Sequence, residues 1–153
     1  MAVSFVPMTM IQDGFANKYT FEQRKWVEVK KGFTHFAEND VGFAKITPCF
    51  ENRKSVVFRG LLNGYGAGTT ELHIIRAFPD TIMPEYLMYL VKTETFISGG
   101  KQTFSGAVGQ QRVGKEYVYS YLCPIPPLSE QKRIIEKCSD IMKMLHSIEK
   151  SLS

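Results

Sequence analysis

Two stretches of this chain contain no aspartate or glutamate. Residues 52–70 carry Arg53, Lys54 and Arg59, and residues 101–115 carry Lys101, Arg112 and Lys115. Both mix cations with amides and glycines, most densely in SGAVGQQRVGK, residues 105–115. Phosphates select lysine and arginine for neutralisation, and a nearby carboxylate would repel them, so acid-free basic loops suit a polyanion. Glycines let the backbone come close. In a DNA major groove an amide can bond adenine N6 and N7, and a guanidinium guanine O6 and N7, each pair being worth about 1–3 kcal/mol of discrimination. Gln110, Gln111, Arg112, Asn63 and Arg53 are of the right types for this. By composition alone the same loops also read as solvated connections between strands.

Other chemistries find less footing. Gly64, Gly66 and Gly68 form G-x-G-x-G, but TTELHIIRA follows with strand alternation, where a phosphate loop would open a helix; a turn between strands is the better account. His35, His73 and His146 lie apart with no ligand spacing, and His73, inside an apolar run, reads as a hydrogen-bonded structural histidine. No G-x-S-x-G elbow or Walker loop is present. PIPPL, residues 124–128, lacks the asparagine that a flipped base would need. These absences point to a binding module with no catalytic site and no metal.

The chain's 153 residues fit one domain with its own core, and 44% hydrophobic content suits a globular protein. A net charge of +4 permits a polyanion partner without demanding one. Three cysteines, far apart and unpaired by motif, read as reduced thiols, and no apolar run approaches a membrane span, so a cytoplasmic protein is expected. Strand patterns fall at 26–29, 41–47, 55–59, 70–77 and 116–123, the last placing Tyr117, Tyr119 and Tyr121 on one face. A helix is expected from Pro84 to about Phe96, stopped by Gly99-Gly100. Pro124, Pro126 and Pro127 then break the β pattern, and Ser129 offers an N-cap for a long helix. Its apolar positions Ile134, Cys138, Ile141, Leu145, Ile148 and Leu152 advance by alternating four and three, the seam of a coiled coil; packing against its own domain is the alternative. The expected class is α+β: a compact β-rich body with one or more packed helices over 1–123, a proline hinge at 124–128, and a coiled-coil-type helix over 129–153.

Four blocks in collinear order, VGFAKITPCFENRKSVV (41–57), LLNGYGAGTTELHIIRA (61–77), SGAVGQQRVGKEYV (105–118) and PIPPLSEQKRII (124–135), together with FVPM (5–8), closely resemble the DNA specificity subunits of type I restriction-modification enzymes. The resemblance implies a target recognition domain that reads one half of a bipartite double-stranded DNA site, followed by the start of a spacer helix. It implies no catalysis and no cofactor in this chain. S-adenosylmethionine, magnesium and ATP would serve partner modification and restriction/translocase subunits. On this view Lys30, Lys31, Lys54, Arg59, Lys101 and Lys115 would contact phosphates, and Arg53, Asn63, Tyr65, Gln110, Gln111 and Arg112 would lie near base edges. Gln110-Gln111-Arg112 belongs to a block common to the family, so the trio would alternatively hold the loop in shape. The family usually has glycine where Arg53 stands. A full subunit has a second recognition domain and a second helix, so the chain is expected to be a fragment, or a half-subunit that dimerises. A rival reading is an assembly module that presents its terminal helix to a partner and does not touch DNA.

Overall fold

The computed structural model describes residues 1–153. Its strands in chain order are β1 (Ala2–Val6), β2 (Glu22–Lys25), β3 (Thr34–Ala37), β4 (Val41–Ala44), β5 (Ser55–Val57), β6 (Tyr65–Gly68) and β7 (Leu72–Ile75). Its helices are α1 (Trp26–Val29), α2 (Pro84–Val91), α3 (Glu94–Lys101), α4 (Lys115–Ser120) and α5 (Leu128–Leu152). One sheet has the order β2-β1-β6-β3, with β1 and β6 parallel; the other, β5-β4-β7, is antiparallel throughout. The short links 38–40 and 69–71 each carry the chain from the first sheet to the second. The class is α+β, as the sequence pattern implies. No helix is long and apolar enough to cross a membrane.

The sheets meet over Val6, Ile11, Phe36, Val56, Phe58, Leu61 and Leu72. Phe36 and Phe58 stack there with ring centroids 3.7 Å apart. Two strand glycines make room for that stack. A Cβ on Gly66 would come within 2.1 Å of the Phe36 ring, and one on Gly42 within 2.5 Å of the Phe58 ring. The second core lies between the three-stranded sheet and the helices, where Phe43, Phe50, Tyr86, Leu90, Val91, Phe96, Ile97 and Val113 are buried.

Five expectations need correction, the first being the glycine turn at 64–68: Gly66 and Gly68 lie inside β6. Residues 26–29 form a helical turn where β-branched composition had indicated a strand. The turn puts Trp26 and Val29 three apart on one face, against Val3, Phe5 and Ala67, while the Glu28 carboxylate accepts the Lys25 N–H at 2.7 Å. Residues 116–123 are helix and then extended chain, so the tyrosines follow a helical period. Tyr117 and Tyr121 pack on Phe96 at 5.3 and 4.9 Å, whereas Tyr119 is 81% exposed. The segment from Pro84 makes two helices. It breaks at Lys92-Thr93, where Thr93 Oγ1 caps α3 by accepting the Phe96 N–H, and the expected stop at Gly99-Gly100 lies inside α3. Those glycines are sites of close packing, since a Cβ would meet the Tyr117 hydroxyl at 2.6 Å and the Phe50 ring at 2.5 Å. The long helix starts at Leu128 with Pro127 in the cap position expected for Ser129.

Candidate nucleic-acid interface

The residues expected to contact nucleic acid fall in three places. At the first, Arg53 and Lys54 point inward. Arg53, at φ +59°, donates from Nε to the Lys92 carbonyl at 2.8 Å, and its guanidinium pairs with Glu94 at 2.6 Å. Lys54 Nζ donates to the Ile11 carbonyl at 2.7 Å and lies 3.4 Å from Asp13. Beside them Lys92 is fully buried, and its ammonium donates to the carbonyls of Gly14, Arg53 and Ser55 at 2.7–2.9 Å. Burial, reinforced by the Arg53 charge, pushes the Lys92 ammonium down to about 7. These cations clamp a small hairpin over residues 10–20, closed by the Ile11–Tyr19 bridge and by the Thr20 N–H donating to the Met10 carbonyl at 3.0 Å. On its other side Asn17 Oδ1 accepts the Val57 N–H, and Tyr19 Oη donates to the Arg59 carbonyl at 2.7 Å.

The second place is the end of the three-stranded sheet at the 69–71 link. Arg112 makes a two-pronged bond to Glu71, at 2.8 Å from Nε and 2.7 Å from Nη2. That bond holds the Glu71 carboxyl below the usual carboxylate range. The loop's backbone is stitched on by the Thr47 N–H donating to the Gln111 carbonyl and the Val113 N–H to the Lys45 carbonyl, both at 2.9 Å. Arg112 also donates to the Gln110 carbonyl. Arg112 therefore shapes this loop, to which Gln110 and Gln111 lend backbone carbonyls. Exposed Lys115 opens α4 just beyond it, and exposed Lys101 closes α3. Exposed Lys30 and Lys31 lead into β3, whose Thr34 pairs with Gly68 at this end of the first sheet.

The third group lies at the opposite end of the sheets. Arg59 donates from Nε to Glu85 at 2.9 Å and from Nη1 to Asn39. Asn63, at φ +54°, donates its amide to the Ala2 carbonyl at 2.9 Å, and Tyr65 is 51% exposed. Nearby, Asp40 is buried and takes both prongs of Arg76 at 2.6 and 2.7 Å. The two acid-free stretches thus do not make one surface. Folding brings Glu94, Asp13, Glu71 and Glu85 to them from other segments, and Lys30, Lys31, Lys101 and Lys115 remain outside any ion pair. His73 bonds the Val113 carbonyl at 2.9 Å as a structural group. No three His, Cys, Asp or Glu side chains gather to hold a metal ion.

No protein-family model matches the chain. Two curated relatives from Escherichia coli do, each over 147 residues and 96% of this chain: the specificity subunit of type I restriction enzyme EcoAI at 45% identity and that of EcoEI at 43%. The chain is a relative of the type I restriction specificity subunits. It spans about a quarter of the length of those relatives, 25% of each. The fold agrees: the HsdS subunit from Thermoanaerobacter tengcongensis superposes with a TM-score of 0.78 at 20% identity, covering 98% of this chain and 38% of that one. A chain from a structure of type I R-M complex assembly and conformational transition matches with a TM-score of 0.79, also at 20% identity.

Helix α5 has two halves. Ile134 and Ile135 join the helix-side core, and Ile134, Cys138, Ile141 and Met142 face Tyr86, Tyr89 and Leu90 across an apolar groove of about 570 Å³. Beyond Met142 the same seam leaves the body, and exposure climbs from 48% at Leu145 through 54% at Ile148 to 82% at Leu152. The helix start is fixed by Gln131, a residue the sequence pattern did not single out. Fully buried, its side-chain oxygen accepts the Met83 N–H at 2.8 Å and its amide donates to the Thr81 and Pro126 carbonyls at 2.9 and 2.8 Å.

Proposed function

We propose that this chain recognises one half of a bipartite site in double-stranded DNA, as the specificity component of a type I restriction-modification complex. The observation that carries this reading is the identity of 45% and 43% with type I specificity subunits across nearly the whole chain. The unpaired lysines Lys30, Lys31, Lys101 and Lys115 contact phosphates, and Gln110, at the same end of the sheets, faces the bases. Arg53, Lys54 and Arg112 position the loops that make contact. Chemistry belongs to partners: modification subunits using S-adenosylmethionine, and a restriction/translocase subunit using magnesium and ATP. The bare seam at Leu145, Ile148 and Leu152 supports pairing with a second helix, which joins this module to a second recognition domain and sets the gap between half-sites.

The test is selection of duplexes from a random pool by the chain reconstituted with its modification subunits. A short, reproducible half-site is the expected product. A pool that returns no enriched sequence, from a complex shown to be assembled, would refute the recognition role.

A further inference from the structure

The hairpin of residues 10–20 and the end of β5 enclose an open groove of about 610 Å³, lined by Thr9, Gln12, Asn17, Lys18, Tyr19, Thr20 and Arg59 with Met10 and Val57 at its floor. No carboxylate lines it. Of the acids around it, Asp13 pairs with Lys54, Glu38 accepts from the N–H groups of Gly60 and Leu61, and Glu85 pairs with the groove's own Arg59 and offsets its charge. Lys18 is exposed and has no acidic partner. The hairpin is also held in an unusual way. Lys54 takes the carbonyls of Met8 and Ile11, and Lys92 takes that of Gly14, so these acceptors face the protein. The groove lining carries donor-bearing side chains instead, namely the Thr9 and Thr20 hydroxyls, the Gln12 and Asn17 amides, and the ammonium of Lys18. Donors around an acid-free groove are what a phosphodiester requires.

We propose that this groove seats the sugar-phosphate backbone of one DNA strand, with Lys18 neutralising a phosphate and Thr9 and Thr20 donating to phosphate oxygens. The proposal rests on the DNA-recognition reading and adds a site to it: a positioning contact that fixes the domain's register without reading sequence. Its lysine, Lys18, lies outside both acid-free stretches, so composition does not reveal it.

The experiment titrates duplex DNA carrying the selected half-site against the chain over a series of salt concentrations. Lys18→Gln and Thr20→Ala alter exposed side chains, and a thermal melt confirms that each variant folds. Removing one phosphate contact flattens the slope of log K against log salt by about 0.9 and weakens binding about tenfold at 50 mM salt. Lys18→Gln is expected to show that loss on the selected duplex and on mixed-sequence duplex alike, with Lys18→Glu losing more and Thr20→Ala less. Folded Lys18 variants with wild-type affinity and slope would overturn the groove while leaving DNA recognition intact. A changed sequence preference in Lys18→Gln would overturn the backbone assignment. Failure of the unmodified chain to bind any duplex at low salt would overturn the recognition reading, and the groove with it.

Discussion

Lys92 holds a positive charge where none would be expected, fully buried among three carbonyl oxygens. Its proton affinity makes it a reporter of the clamp. In the unfolded chain the ammonium titrates at its ordinary 10.5, but in the folded chain at about 7. Below about 7 both states carry the proton and the burial cost is present in full. As pH rises through 7 the folded state loses its proton first, so stability climbs until both states are neutral near 10.5. Urea unfolding at about pH 6.5 and pH 9 should therefore show greater stability at the higher value, by on the order of a few kcal/mol. Lys92→Met should abolish that rise and speed amide exchange at Gln12 and Thr20. Arg53 offers a second residue-scale test. Its left-handed backbone costs about 1–2 kcal/mol in any residue but glycine, while its partly exposed pair with Glu94 returns at most about 1 kcal/mol. Arg53→Gly should fall within about 1 kcal/mol of the parent by thermal melting, with Arg53→Ala clearly less stable than Arg53→Gly.

Elements here are placed by contacts that leave little slack. Gly66 lets β6 pass under the Phe36 ring, which Phe58 pins from its other face, so the ring cannot swing aside. Gly66→Ala should cost about 1–3 kcal/mol through overpacking, read as a lower urea midpoint. The long helix divides into an anchored half and a presented half, and substitutions should separate them. Gln131→Leu removes the partner of one N–H and two carbonyls where the helix begins, and should destabilise the body by about 2–3 kcal/mol. Leu145→Lys with Ile148→Lys should leave the melting temperature unchanged, because both side chains are already half-exposed, yet weaken helix pairing measured by light scattering with a second recognition domain.

For the whole molecule, under the proposed DNA-recognition role, mild net charge and scattered free lysines imply modest, salt-sensitive affinity for duplex. A chain in that proposed role would make few phosphate contacts, each contributing about −0.9 to the salt slope. Joining two such modules through the α5 seam raises apparent affinity by making the second engagement intramolecular, and only when the helix holds both at the right separation. The expected signature is weak binding by this chain alone and a steeper salt dependence for the paired form, measured on the same duplex.

The sequence by itself determined the α+β class, the strands around 41–44, 55–57 and 72–75, the long terminal helix, and the likeness to type I specificity subunits, because alternation, proline placement and collinear motifs are properties of neighbours along the chain. It misread 26–29 and 116–121, where β-branched and aromatic residues favour strands locally but helical spacing buries Val29 against Phe5 and Tyr117 and Tyr121 against Phe96. It took Gly99-Gly100 for a stop, when the rings of Phe50 and Tyr117 require the missing side chains. Tertiary structure alone decided which cations face outward. Arg53, Lys54 and Arg112 sit in acid-free sequence, yet Glu94, Asp13 and Glu71 reach them from segments up to 41 residues away. Electrostatic partners are neighbours in space, and no local count of charges can see them.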